Sequence, residues 1–311
     1  MLVVIALGGN ALLQRGEPLD AKTQRRNVQV AARAIAEVAV RHSVVVTHGN
    51  GPQVGLLALQ SAAYRDVPPY PLDVLSAESE GMLGYVIEQE LRNCLPDREV
   101  AAVLTQAEVA PDDPAFLAPS KPIGPLFDDT AAERLTREEG WRFSSYGDGN
   151  RRVVASPEPV RLLELDSIRL LADHGVLVIC AGGGGVPVVF DDAGRASGIE
   201  AVIDKDLSAA LLGAELAADR LLLLTDVEAV SSDWAARDAR YIREASPVSL
   251  RRMNFEAGTM GPKIDAGCRF VERTGGEAGI GLLRDAAAIL DRRTGTIIRS
   301  GIGEPEMCDA D

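Results

Sequence analysis

Lysine is the rare cation in this chain: of 32 basic residues in 311, only Lys22, Lys121, Lys205 and Lys263 are lysine and 28 are arginine. Three of the four sit in turns. Lys205 lies in Ile203-Asp204-Lys205-Asp206, at a helix start, between acids able to orient it; the alternative is a surface turn with Asp as helix N-cap. Lys263 ends the segment Gly258-Thr259-Met260-Gly261-Pro262-Lys263. Proline suits a first helical turn, so this ammonium meets the positive end of a helix, which is unfavourable without an anion nearby. Lys121, in Pro119-Ser120-Lys121-Pro122-Ile123-Gly124-Pro125, is a cation on a stiffened loop. A compact ammonium fits around a transferring phosphoryl group, where catalysis is mainly positioning and electrostatic stabilisation.

Glycine-rich turns supply the complementary chemistry. Gly8-Gly9-Asn10 follows one apolar run and His48-Gly49-Asn50-Gly51-Pro52 another, and a third ends in Gly182-Gly183-Gly184-Gly185. Beyond the carboxyl ends of parallel strands, glycine lets backbone N–H groups approach an anionic oxygen. Ordinary turn chemistry is the alternative at each site taken alone. The G-x-G-x-x-G fingerprint is absent, and no Gly-Lys pair exists to make a P-loop, which weakens a dehydrogenase or P-loop reading.

Composition narrows the partners. Against the 32 bases stand 46 acids, for a net charge of −14, the wrong sign for gripping nucleic acid, and aromatic residues make up only 4%. Cys94, Cys180, Cys268 and Cys308 lie far apart with no metal-ligand spacing, so the expectation is a reduced, cytoplasmic protein with no metal held by side chains. No apolar stretch approaches the roughly 20 residues that span a bilayer, and the first apolar run is too short for a signal segment.

The elements that must position these residues alternate. Apolar runs at 2–7, 44–47, 100–105, 176–181, 221–225 and 280–283 read as buried parallel strands, and periodic segments such as Val28, Ala31, Ala32, Ile35 and Val38, or Leu207, Ala210, Leu211 and Ala214, read as crossover helices. The class is α/β. Five prolines in 111–125 break the rhythm, followed by a helical piece at 129–139 and a hairpin around Gly147-Asp148-Gly149-Asn150. Residues 111–157 are therefore expected to form a small protruding subdomain within the N-terminal half (1–160) of a single domain of 1–311, the N-terminal half sharing one sheet with the C-terminal half (161–311). Residues 303–311 read as a frayed acidic tail.

Taken together, Ala6-Leu7-Gly8-Gly9-Asn10-Ala11-Leu12, Thr47-His48-Gly49-Asn50-Gly51-Pro52, Ala77-Glu78-Ser79-Glu80-Gly81-Met82, Ser120-Lys121-Pro122, Ala201-Val202-Ile203-Asp204-Lys205-Asp206, Leu224-Thr225-Asp226-Val227 and Met260-Gly261-Pro262-Lys263 resemble, in this order, the carbamate kinases of the amino acid kinase family. The resemblance covers essentially the whole chain. It implies an open three-layer α/β sandwich with about eight mainly parallel strands, a homodimer, and reversible Mg²⁺-dependent phosphoryl transfer between ATP and carbamate, giving ADP and carbamoyl phosphate, in arginine breakdown. It places Gly8, Gly9, Asn10, Gly49, Asn50 and Gly51 around carbamate and the phosphoryl group through their N–H groups. Lys121, Lys205, Asp206 and Lys263 become catalytic, with Asp206 holding two of the lysines. Gly182, Gly183, Asp226, Met260 and Gly261 join Lys205 and Lys263 on the ATP side, and Mg²⁺ rides on phosphates and water. The chain departs from the family pattern at Glu228, where an aromatic residue is usual. Another acid kinase acting on an amino-acid-type carboxylate, or a non-catalytic nucleotide-binding module, are the alternatives.

Overall fold

The fold is described from a computed structural model for residues 1–14, 16–232, 240–253, 255 and 260–308, with Asn10 and Ala11 described by backbone alone. Gly258 and Thr259 of the Lys263 segment lie outside the described residues, as do residues 309–311 of the tail.

In chain order the strands are β1 (Leu2–Leu7), β2 (Ser43–His48), β3 (Val100–Ala102), β4 (Gln106–Val109), β5 (Lys121–Phe127), β6 (Arg142–Tyr146), β7 (Gly149–Val154), β8 (Pro159–Leu162), β9 (Leu177–Ile179), β10 (Val186–Phe190), β11 (Ala196–Gly198), β12 (Arg220–Thr225), β13 (Val230–Ser231), β14 (Tyr241–Ala245), β15 (Glu277–Leu282), β16 (Thr296–Ile298) and β17 (Glu306–Cys308). The helices are α1 (Gly9–Leu12), α2 (Ala21–Ala39), α3 (Gly51–Ala63), α4 (Leu72–Cys94), α5 (Asp129–Glu139), α6 (Leu165–Asp173), α7 (Lys205–Glu215), α8 (Pro247–Leu250), α9 (Gly261–Thr274) and α10 (Ala286–Leu290).

A central sheet runs β13-β14-β16-β15-β12-β1-β2-β9-β3, with β17 beside β14. Its middle, from β15 to β3, is wholly parallel. Those strands read Val-Val-Ile-Ala-Leu or Leu-Leu-Leu-Leu because both faces are covered. Val3, Ile5 and Leu7 of β1 point into a core shared with α2, α4 and α10, and Val4 and Ala6 point into one shared with α6, α7 and α9. This is the three-layer α/β arrangement, and both sequence halves contribute strands to it. α2 buries the stripe Val28, Ala31, Ala32, Ile35 and Val38, and starts where Asp20 accepts the Thr23 N–H at 2.8 Å.

Several expectations shift. Among the described residues the sheet has ten strands rather than about eight, because short strands too brief to show periodicity join it. One of them, β17, occupies the segment read as a frayed tail: it pairs antiparallel with β14, and Met307 packs on the core. Of the run at 100–105 only Val100–Ala102 is strand, as β3; the next strand, β4, starts at Gln106 and belongs to a separate four-stranded sheet, β11-β10-β4-β8. The buried face of α7 is Ser208, Ala209, Leu212 and Gly213 with Ala210, not the stripe of Leu207, Leu211 and Ala214. Small residues win because α7 lies close to α9: a Cβ on Gly213 would come within 2.9 Å of Phe270.

Residues 121–154 build a three-stranded antiparallel sheet, β5-β7-β6, joined by α5. Pro122 and Pro125 are tolerated because β5 is an edge strand that pairs with β7 only, with an irregularity between Ile123 and Phe127. Ile123 and Val154 pack with Val54 and Ala58 of α3 and with Leu72 and Leu75 of α4. The contact is backbone on backbone at one point, where a Cβ on Gly55 of α3 would fall 2.1 Å from the Gly124 Cα. Gly55→Ala should therefore force the small sheet off α3, at the usual cost of overpacking, about 1–3 kcal/mol. A urea unfolding curve with an unchanged midpoint would show that this contact gives way freely.

Candidate active site

The carboxyl ends of β1, β2 and β12 open into a cleft of about 640 Å³ whose far wall is the loop before and at the start of β5. On one side stand Gly8, Gly9, Gly49, Asn50 and Gly51; on the other Lys205, Asp206, Gly261 and Lys263; Lys121 comes from the small sheet.

Asp206 organises the floor. Lys205 Nζ donates to its Oδ1 at 2.6 Å and Lys263 Nζ to its Oδ2 at 2.9 Å, and all three side chains are buried. α7 and α9 both begin at this point, which is why residues 57 apart in sequence meet on one carboxylate. Asp204 is the α7 N-cap: its Oδ1 accepts the Asp206 N–H at 2.8 Å, and its Oδ2 accepts Lys121 Nζ at 2.5 Å. The Asp N-cap is thus present, and the same turn brings Lys205 and Asp206 to the wall of the cleft rather than leaving them on an open surface.

Burial opposes charge on every member, and pairing outweighs it for most. Asp204 stays well below the usual carboxylate range because Lys121 and Lys205 counter its burial, and Asp206 is lowered by Lys205 and Lys263. Lys263 is raised, since Asp206 more than offsets desolvation. Lys205 is the exception: burial pushes it down to about 8 despite Asp206, with the Lys263 charge adding to the effect. Three ammonium groups against two carboxylates leave a local excess of one positive charge in a chain of net charge −14. An anion entering the cleft completes the balance.

The glycine turns act differently from one another. Gly8 N–H donates to Leu224 O and Gly49 N–H to Leu7 O, each at 3.0 Å, because the parallel ladders continue one residue past the strand ends. These two groups are therefore spent on the sheet, a correction to the six-donor arrangement. Gly49 contributes space instead: a Cβ there would meet Lys205 Cδ at 3.3 Å. Among the described residues the donors left over are the N–H groups of Gly9 and Asn10 in the first turn of α1 and of Asn50 and Gly51 at the start of α3, which have no partner within their helices. Asn50, the α3 N-cap residue, turns its side chain away to donate to Ser79 Oγ at 2.8 Å.

Of the expected nucleotide residues, Gly183 and Gly261 line the cleft. Gly182 does not: its N–H is donated to Glu80 Oε1 at 2.9 Å, and a Cβ would fall 2.5 Å from the His48 ring. Asp226 is exposed just past β12, where Thr225 Oγ1 donates to it at 3.1 Å, and Met260 caps α9 and packs on the core. The sequence reading missed Arg151, Glu158 and Arg269, which also line the cleft. Arg151 donates to Gly124 O at 2.6 Å, and Arg269 holds Glu158 through two bonds of 2.9 and 3.0 Å. Among 28 arginines nothing in their sequence spacing distinguishes them.

A model of the Amino acid kinase family matches residues 1–280. The carbamate kinase of Rhizobium meliloti (strain 1021) is 51% identical over 307 residues, covering 98% of this chain and 95% of that protein. The chain belongs to the carbamate kinases of the amino acid kinase family. It is an enzyme, a phosphotransferase. Other carbamate kinases match as broadly: that of Pyrococcus furiosus is 45% identical over 307 residues, spanning 94% of this chain and 98% of its own. Among solved structures, the Giardia lamblia carbamate kinase bound to AMP-PNP superimposes with a TM-score of 0.87 at 39% identity, covering 96% of this chain and 98% of that one.

For a carbamate kinase built this way, Asp206→Asn removes the counter-charge shared by two buried ammonium groups, leaving Asp204 alone to balance the cluster, and breaking such a buried set costs about 3–5 kcal/mol. Urea unfolding should show that loss; a midpoint equal to the parent's would mean that solvent, not Asp206, balances Lys205 and Lys263.

Proposed function

We propose that this chain catalyses reversible phosphoryl transfer between ATP and carbamate, using Lys121, Lys205, Asp206 and Lys263 as its catalytic set. The observation that carries the reading is the pair of ammonium groups held on one buried carboxylate, facing two helix starts across the cleft. Transfer between an acyl phosphate and ADP passes through a state whose charge is spread over small oxygens, and it needs fixed cations and N–H donors more than it needs a base. The N–H groups of Gly9, Asn10 and Gly51 hold the transferring group from one side. Lys205 and Lys263 neutralise it and the ADP phosphates from the other. Asp206 keeps both lysines aimed without moving a proton, and Lys121 reaches over the carbamate side. Gly183, Gly261 and the exposed Asp226 border the ADP side.

The donor chemistry of the floor fits Mg²⁺ carried on the nucleotide. Asp204 and Asp206 are committed to lysines, so the ion's oxygens come mainly from phosphates and water. When bound it supplies further charge neutralisation.

Carbamoyl phosphate is a mixed anhydride and free carbamate decomposes in water, which favours running toward ATP, as at the end of arginine breakdown. Four free thiols suit the cytoplasm. A homodimer would cover part of the exposed apolar surface at Tyr64, Val67, Tyr70 and Tyr85 on and beside α3 and α4.

The test is ATP formation from ADP and carbamoyl phosphate with Mg²⁺, beside acetylglutamate and aspartate as acceptors from ATP. ATP should appear with carbamoyl phosphate and no transfer to the amino acids; no ATP sinks the assignment. Lys205→Arg and Lys263→Arg should each lower kcat about 100-fold, as expected for misplaced transition-state cations, whereas Lys22→Arg, exposed on α2, should leave it unchanged. Equal tolerance at all three positions would show that guanidinium serves as well. Because Lys205 must be charged to act, kcat/KM for ADP should fall as pH rises through about 8. Bound phosphates favour the charged form, so the fall in kcat should lie at higher pH.

A further inference from the structure

A second, smaller cavity of about 130 Å³ shares no lining residue with the cleft, yet touches it through one peptide link, since His48 lines the one and Gly49 the other. Among the described residues two buried polar atoms on its lining side chains, Glu80 Oε2 and His48 Nε2, make no hydrogen bond of good geometry, although Thr105 lies beside the Glu80 carboxyl. Both side chains are at least nine-tenths buried. His48 is held neutral, burial pushing it down to about 4, and Nδ1–H donates to Gly49 O at 3.1 Å, which leaves Nε2 a bare acceptor.

Glu80 and its neighbour Ser79 lie on α4 and grip both glycine turns. Glu80 Oε1 accepts the Gly182 N–H at 2.9 Å; Ser79 Oγ accepts Asn50 Nδ2 at 2.8 Å and donates to Ser76 O at 2.8 Å. The two turns touch directly: a Cβ on Gly183, already at φ +66°, would fall 2.2 Å from Asn50 Nδ2. A Cβ on Gly182 would lie 2.5 Å from His48 Nε2 and 2.8 Å from Glu80 Cγ, so the two unpartnered groups are close neighbours.

We propose that Glu80 is a positioning residue for phosphoryl transfer, fixing the His48–Gly51 turn against the Gly182–Gly185 turn with one oxygen on Gly182 and the other turned to the His48 imidazole. The inference rests on the cleft being the phosphoryl-transfer site. Burial pushes Glu80 up to about 8, so at neutral pH it is an acid with a proton to donate, and Nε2 is the acceptor facing the same space, directly or through one water. The other titratable groups facing it agree with an uncharged carboxyl: Cys180, after β9, is a thiol raised far up by burial, and Glu164, at the start of α6, adds repulsion. Above pH 8 the proton leaves, the donor is lost, and a negative charge appears behind the turn that receives an anionic substrate.

The test measures KM for carbamoyl phosphate against pH at saturating ADP, where bound phosphates keep Lys205 charged. Wild type should hold a constant KM to pH 7 and show it rising through about 8. Glu80→Gln, uncharged and of the same shape, should keep KM within about twofold at pH 7 and abolish the rise, while Glu80→Ala should raise KM about tenfold with KM for ADP unchanged, since small misplacements of a reacting group are costly. A rise that persists in Glu80→Gln, or a wild-type KM in Glu80→Ala, overturns the assignment. If Glu80→Ala does not fold, the pH profile of Glu80→Gln decides. A wild type that makes no ATP would instead remove the reading of the cleft itself, a failure distinct from these.

Discussion

The shared carboxylate of Asp206 is the constraint on which the site depends. Two ammonium groups buried against each other repel, and neither would stay charged in a dry pocket without an anion between them. One aspartate with an oxygen for each solves this with no surplus negative charge, so the cations remain able to attract phosphate. The requirement propagates outward. Asp206 must sit in the first turn of α7, Lys263 in the first turn of α9, and the two helix starts must converge, which the small residues along α7 permit by letting it lie close to α9. The third lysine, Lys121, is balanced two residues before Asp206 by Asp204, so the three cations are served by alternate residues of a single turn.

This local excess of positive charge is embedded in an acidic chain, and the contrast has a physical use. Surface carboxylates keep anions away from the exterior in general, whereas the cleft, with its cations fixed by burial, holds the positive patch that an anionic substrate can reach. Specificity for small phosphorylated anions then follows as much from where charge is withheld as from where it is placed.

Much of this was legible in the residues. The runs at 2–7 and 221–225 are strands because unbroken β-branched and leucine sequences cannot face water on either side, and the α2 stripe repeats at helical spacing over about three turns. Lys205, Lys263 and Lys121 stood out because, Lys22 apart, arginine fills every other basic position. What escaped has identifiable causes. The face of α7 was misread because that helix is apolar nearly all round, so only its contact with Phe270 settles which side is inward. Strand β17 is three residues long and carries no period. Gly8 and Gly49 were credited with donors that the sheet already uses, since a motif does not show where a ladder stops. Arg151 and Arg269 were hidden by the same abundance of arginine that exposed the lysines, and Gly182 faced Glu80 because the purpose of four glycines is set by what lies against each of them.

The ladders that take up the N–H groups of Gly8 and Gly49 have a further consequence. Leu7 is level with His48 on one side and Leu224 on the other, so β1 and β2 end in step, with β12 one residue further on, and the turns leave the sheet at nearly one height. The sheet therefore works as a common datum line for both substrates. Deleting one residue inside β1 would draw the Gly9 and Asn10 donors back by about 3.3 Å, the rise per strand residue, and turn the strand's two faces over. The length of β1 is thus expected to be less tolerant of change than its apolar composition: an exchange of similar volume disturbs packing locally, whereas a change of length moves the turn and inverts both faces.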